Sequence, residues 1–172
     1  GESFQQYREF QFFFNRDASL ITEDGDEVEF FVQIAYDSLN YYEIAVPITS
    51  QTPVGWSHVN VDFSDLSNIK IGAGEGLTEK MIEDSKYSGK WYRGRLRGNP
   101  SLFKVRYLFA GMRNKTGKVI SNTRFMVNDI TVSEVKRDID YAARGSFSAN
   151  FGGGIMSLSG NWTRTGPEFR SL

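Results

Sequence analysis

His58 is the only histidine in the chain, and there is no cysteine. These two counts remove thiolate nucleophiles, disulfides, thiolate metal centres and any metal site built on two histidines. A Ser-His-Asp triad would have to be assembled around His58, with Ser57 and Ser64 close in sequence. Neither serine sits in the glycine-framed turn of a nucleophile elbow. A lone histidine near Trp56 reads as a packed or surface residue. Paired carboxylates for glycoside hydrolysis, such as Asp62 with Asp129 or Glu43 with Glu134, are easily named in a chain with 21 acids, so the pairing carries no signal. The run Glu23-Asp24-Gly25-Asp26-Glu27 offers clustered oxygen ligands for calcium, and it reads equally well as a solvated turn. No catalytic, cofactor-binding or metal-binding residue is assigned, and the expectation is a protein without enzymatic activity.

Two further segments carry a functional suggestion. Ile71-Gly72-Ala73-Gly74-Glu75-Gly76 is glycine-rich, but no Lys-Ser/Thr pair follows and the Gly-x-Gly-x-x-Gly spacing is missing, so it reads as a connector. Residues 90–97 alternate Trp91, Arg93, Arg95 and Arg97 on one face with Tyr92, Gly94 and Leu96 on the other. Arginines interleaved with aromatics suit phosphates or stacked bases. With 20 basic against 21 acidic residues, the preferred reading is a solvated face whose arginines pair with nearby carboxylates. No nucleic-acid partner is expected.

The elements that would position these residues are strands. Aromatics make up 15% of the chain, a bias that suits a pleated surface. Residues 8–15 and 28–36 are apolar runs separated by the Asp24-Gly25 turn signal, which predicts a hairpin. Residues 41–48, closed by Pro47, and 56–63 predict a third and a fourth strand. Short helical turns are expected at 64–68 and at 78–85, the latter capped by Thr78. Residues 105–112 and 123–135 predict the next pair, joined by the polar loop Asn114-Lys115-Thr116-Gly117-Lys118. About eight short strands at turn-punctuated intervals indicate an antiparallel β-sandwich or barrel. Residues 125–132 also resemble the closing strand of galactose-binding-like jelly rolls, several of which bind sugars or a structural calcium ion.

From Tyr141 onward the pattern changes. Tyr141, Ala143, Gly145, Phe147, Ala149 and Phe151 alternate with Ala142, Arg144, Ser146, Ser148 and Asn150. After Gly152-Gly153-Gly154, Met156, Leu158, Gly160 and Trp162 alternate with Ser157, Ser159, Asn161 and Thr163. Two strands of about ten residues, apolar on one face and small and polar on the other, match a membrane-barrel hairpin. They match equally an ordinary hairpin covering a sandwich with its apolar face buried. A polar face of Ser, Asn and Thr, with Gly and Ala mixed among aromatics opposite, favours the barrel. Phe147, Phe151, Met156, Leu158 and Trp162 are therefore the candidate membrane or interface face. The expected organisation is a jelly-roll-type sandwich over residues 1–137 and an amphipathic hairpin over 138–172. Starting at Gly1 without Met and ending at Ser171-Leu172, the chain reads as a segment of a longer protein.

An ordered series of motifs resembles one family. Gly98-Asn99-Pro100-Ser101-Leu102-Phe103-Lys104-Val105-Arg106, followed by Ala110-Gly111-Met112-Arg113-Asn114, is similar to the Gly-Asn-Pro-x-Leu-x-x-Val and Gly-Val-Arg-Asn stretches of the SprA/Sov family. That family is the giant outer-membrane translocon of the type IX secretion system. Met126-Val127-Asn128-Asp129-Ile130 resembles its Trp-Val-Asn-Glu-Leu segment, and Tyr141-Ala142-Ala143-Arg144 its Trp-Ala-Ala-Arg segment. Asn40-Tyr41-Tyr42-Glu43 with Pro47, and Trp56 with Asn60 and Asp62, also fit. Met126 and Tyr141 stand where the family has Trp, and residues 78–85 have no counterpart in it.

The resemblance, spanning about residues 40–172, implies a non-catalytic structural segment of a protein-translocation β-barrel in the bacterial outer membrane and at the cell surface, connected with gliding motility. Its partners would be the rest of the translocon barrel, secreted cargo and plug or accessory proteins, with the membrane reached through adjoining strands and no cofactor required. The competing expectation is a free-standing jelly-roll binding module for carbohydrate, with Trp56, Trp91 or Tyr92 as stacking platforms.

Overall fold

The structure is a computed structural model, and it describes residues 1–20, 28–74, 76–120, 123–135, 142–151 and 156–165. The backbone divides into two compact units, Gly1–Val135 and Lys136–Leu172, against an expected boundary between 137 and 138.

The first unit is an antiparallel β-sandwich. A three-stranded sheet in the order β4-β1-β8 faces a five-stranded sheet in the order β5-β6-β3-β2-β7. The strands are β1 (Tyr7–Arg16), β2 (Val28–Ala35), β3 (Tyr41–Ile48), β4 (Gly55–Asp62), β5 (Leu77–Glu83), β6 (Trp91–Arg97), β7 (Tyr107–Asn114) and β8 (Phe125–Val135). Period-two alternation decides which side chains meet inside. Phe10, Phe12 and Phe14 point inward from β1, Val28, Phe30, Val32 and Ile34 from β2, and Tyr42, Ile44, Val46 and Ile48 from β3, and all belong to one buried cluster. Phe30 is the centre of the contact between sheets: its ring lies 5.3 Å from Phe14, 5.7 Å from Phe12 and 5.9 Å from Phe125.

That contact corrects the expected first hairpin. β1 and β2 are not paired neighbours, because β1 pairs with β4 and β8 while β2 pairs with β3 and β7. Two strands each carrying a row of large apolar side chains bury both rows fully by facing each other across the core, whereas side by side they would share one face. The Asp24-Gly25 signal and the calcium candidate Glu23–Glu27 lie outside the described residues. The expected pair β7 and β8 is corrected in the same way, since β7 completes the five-stranded sheet beside β2 and β8 the three-stranded one beside β1.

The helical reading of residues 78–85 is also overturned. Leu77–Glu83 is a strand, in continuous register with β6 from Leu77 opposite Arg97 to Glu83 opposite Trp91. Ile82 on its inner face is buried, and Glu79 on its outer face meets Arg95. Helical propensity over seven residues is weak beside a full ladder of backbone hydrogen bonds. The only helix among the described residues is α1 (Phe63–Asn68), whose N-cap is Asp62: its carboxylate accepts from Ser64 N at 2.7 Å. Phe63 and Leu66 turn inward and close one end of the core.

The connection from β2 to β3 shows what part of the Gly98 motif does. Asp37 Oδ1 accepts from the backbone of Leu39 and Asn40, each at 2.8 Å, forming an Asx turn. Asn40 Oδ1 in turn accepts from Asn99 N at 2.8 Å. Gly98 has φ +65, and a Cβ there would stand 2.4 Å from Leu39 O, so glycine is required where the two turns touch.

The second unit contains β9 (Ala142–Phe151) and β10 (Met156–Thr165), a two-stranded antiparallel sheet. Its register runs unbroken from Met156 opposite Phe151 to Thr165 opposite Ala142.

Candidate functional site

Three places carry chemistry. The first is the outer face of the five-stranded sheet. Here β6 presents Arg93 and Arg95 beside Glu43 of β3, Glu29 of β2, Glu79 of β5 and Arg113 of β7. Arg95 donates to both oxygens of Glu29 at 2.7 and 2.8 Å, to Glu43 at 2.8 Å and to Glu79 at 2.5 Å. Arg113 spans the same acids, at 2.9 Å to both oxygens of Glu43 and 3.0 Å to Glu29, while Gln33 adds a bond to Glu43 at 2.7 Å. Glu29 is 1% exposed and Arg95 4%, so the predicted pairing of arginines with carboxylates occurs, but around Arg95 the face is buried rather than solvated.

Burial opposes ionisation of Glu29 and Glu43, yet the hydrogen bonds from Arg95 and Arg113, joined by Arg93 at Glu29 and Gln33 at Glu43, outweigh it and hold both carboxyls below the usual range. A general acid needs a raised pKa, so these two acids are unsuited to that role. What the network does is mechanical: a single arginine of β6 binds acids on β2, β3 and β5. A one-residue slip would turn those partners to the opposite face.

The second place is a pocket of about 380 Å³ between the start of β6, the turn after β3 and the edge strand β4. Its apolar floor includes Phe14 and Val46, and Trp91 and His58 line it as well. Trp91 is 51% exposed and offers a ring face. Tyr92 does not serve as the expected stacking platform: it is buried, and its hydroxyl donates to Asp84 at 2.5 Å. Trp56 is also 51% exposed, on β4 opposite Asn15, and does not line the pocket.

His58 is packed, one of the two placements its sequence context suggested. Its ring stacks on Phe13 at 4.1 Å and 2°, with the Tyr87 ring edge-on at 6.3 Å. Among the described residues its buried Nε2 has no hydrogen-bond partner. Burial, aided by the Lys86 and Lys90 charges and partly offset by Asp84 and Glu9, holds its pKa below the ordinary value. The folded state therefore resists a proton that the unfolded chain accepts as pH falls below about 6.5. Stability from this group is complete above that value and is lost as pH falls through the window. The expected result is a thermal midpoint that declines between pH 7.5 and 5.5, with a visibly flatter profile in His58→Gln; parallel profiles for the two proteins would refute the assignment.

The third place is the hairpin. Phe151 stands opposite Met156, Ala149 opposite Leu158, Phe147 opposite Gly160 and Gly145 opposite Trp162. Cross-strand partners share a face, so the register puts all five candidate positions, Phe147, Phe151, Met156, Leu158 and Trp162, on one side of the ribbon. Ser146, Ser148, Asn150, Ser157, Ser159 and Asn161 occupy the other. Trp162 is 56% exposed. Among the described residues no helix is long and apolar enough to cross a membrane, which leaves crossing by strands open.

No family model, curated protein or solved structure matches this chain. The four acids named for hydrolytic pairs are spread among separate places: Glu43 in the ion network, Asp62 capping α1, and Asp129 and Glu134 in β8 at φ 49 and φ 54. Among the described residues no group of three potential metal ligands comes together. The sequence pointed to arginine–carboxylate pairing on the arginine face of β6, but not to its burial or to Glu29 and Glu43 as the partners of Arg95. The network's signal was legible as Glu29, Glu43 and Arg95 lying at the outward phase of three apolar-alternating strands, but which acids meet which arginine depends on strand order.

Proposed function

We propose that the chain is a non-catalytic structural segment of an outer-membrane protein-translocation β-barrel of the type IX secretion kind, comprising a soluble jelly-roll sandwich and a barrel hairpin. The observation that carries this reading is the hairpin register. Two strands of ten residues each have the length a tilted membrane strand requires, about 9–11 residues. A two-stranded hairpin by itself is marginal in water, and in lipid every strand needs partners on both edges. Adjoining strands of the same barrel would supply them. The ordered motif series from Asn40 to Arg144 supports the reading independently. Rigid ionic cross-linking of the sandwich face suits a domain that offers a fixed surface to cargo, plug or accessory proteins.

The absence of cysteine makes a direct test simple. Single Leu158→Cys, Trp162→Cys, Ser159→Cys and Asn161→Cys variants carry a polarity-sensitive dye and are examined with and without detergent micelles or lipid vesicles. The expected result is a blue shift on adding lipid at 158 and 162 but not at 159 and 161. An equal response on both faces, or a blue shift at 158 and 162 already complete in water, overturns the membrane assignment. In the source cell, antibody raised against residues 1–172 is expected to find its antigen in the outer-membrane fraction; recovery in a soluble fraction overturns the localisation.

A further inference from the structure

The pocket beside Trp91 has properties that the barrel reading does not use. We propose that it binds one pyranose ring, the terminal sugar of a glycan, with the Trp91 indole as its stacking plane. Size comes first: at about 380 Å³ it lies at the small end of ligand pockets, roughly 300–1,000 Å³, which suits a single six-membered ring rather than an extended chain.

The lining chemistry narrows the class. Phe14 and Val46 form an apolar floor, and the half-exposed Trp91 ring gives the flat apolar surface that the C–H face of a sugar covers. Thr49, Gln51, Thr52 and Ser57 bring hydroxyl and amide groups that can both donate and accept, matching sugar hydroxyls, which do the same. Among the described lining residues there is no carboxylate, so nothing selects a cation. Lys90, whose ammonium rests 4.6 Å over the Tyr87 ring, tolerates a neutral or acidic sugar. A wholly apolar ligand would leave this polar rim unpaired.

Both walls are held in advance, which lowers the ordering cost of binding. In the turn after β3, Thr52 N donates to Thr49 O at 3.0 Å and Thr49 N to Thr52 Oγ1 at 2.9 Å, while the Arg16 guanidinium donates to Thr52 O. On the opposite side Asp84 N donates to Lys90 O at 2.8 Å, and the bond between Tyr92 and Asp84 anchors the strand that carries Trp91. The site lies wholly within the first unit, so its failure leaves the barrel reading intact, and the reverse also holds.

The test titrates the full chain with methyl glucoside, methyl galactoside, N-acetylglucosamine and methyl glucuronide at up to tens of millimolar, with adenosine as a flat aromatic control. The readout is the indole N–H resonances of Trp56, Trp91 and Trp162. A saturable shift of the Trp91 resonance by at least one sugar is expected, with Trp56 and Trp162 unmoved. Trp91→Ala should then weaken binding at least about tenfold, and Gln51→Ala, at the rim and outside the core, severalfold. Trp56→Ala should bind as the parent does. No saturable response to any of the sugars, a response to adenosine alone, or parent-like sugar affinity in either Gln51→Ala or a folded Trp91→Ala overturns the proposal.

Discussion

Replacing Arg95 with leucine is expected to lower the unfolding free energy of the sandwich by about 3–5 kcal/mol, because it takes from the buried carboxylates of Glu29 and Glu43 the more deeply buried of the two arginines that bond both. The intact network need not be strongly stabilising, since removing charges from water cancels much of their attraction. The asymmetry lies in the broken network. Glu29 would keep Arg93 and Arg113, and Glu43 would keep Arg113 and Gln33, so the lower half of that range is the better expectation. The thermal midpoint should fall by about 10 °C, given roughly 2–4 °C per kcal/mol in chains of this size. Arg97→Leu, two residues along the same face but exposed, should change stability by less than about 0.5 kcal/mol. Urea melts of both variants check the pair; an Arg95→Leu midpoint equal to that of Arg97→Leu would mean that the network is ornamental.

Acid should act on the same network. The carboxyls of Glu29 and Glu43 are held below their ordinary range in the folded state, so their contribution is complete above the unfolded value of about 4.3 and is lost as pH falls below it. The parent chain should therefore lose stability in two steps on acidification, the His58 step nearer neutrality and a larger carboxylate step below it.

The second large effect is expected at Phe30. Phe30→Ala should cost about 3–5 kcal/mol, the usual range for deleting a buried phenyl ring. Phe30 touches rings from both β1 and β8, so the cavity opens between the sheets. Phe109→Ala is the matched control: its ring is half exposed on the outer face of β7, and truncation should cost no more than about 0.5 kcal/mol. Because Phe14 stacks on Phe30 at 5.3 Å and 14°, the double variant should be less destabilised than the two single effects added together, by about 0.5–1.5 kcal/mol. Strict additivity in denaturant melts would place the two rings in separate packing units.

Strand existence was legible in the sequence because it depends on neighbours two residues apart. Phe10, Phe12 and Phe14, or Tyr42, Ile44, Val46 and Ile48, declare an inward face without reference to any other part of the chain. Turn chemistry was legible for the same reason: Asp37 and Asn114 each close their turns through local side-chain bonds. The hairpin register followed from alternation and a short glycine connector. Strand count and spacing, for their part, narrowed the architecture to a sandwich or a barrel.

Strand partnership was another matter. Nothing local distinguishes β1 and β2 as a hairpin from β1 and β2 as facing layers, because the same alternation serves both; the choice falls to whichever arrangement buries both phenylalanine rows. Residues 78–85 look helical in isolation, and 77–83 become a strand only because β6 offers an open edge and Arg95 a partner for Glu79. The candidate sites divide along the same line. Composition alone removed cysteine chemistry and two-histidine metal sites, and period-two alternation alone placed Phe147, Phe151, Met156, Leu158 and Trp162 on one face. Tertiary structure alone decided that Glu29, Glu43 and Arg95 meet, that Tyr92 turns its hydroxyl to Asp84, and that Trp91 stands over a pocket, since each joins residues on different strands whose order no local pattern encodes.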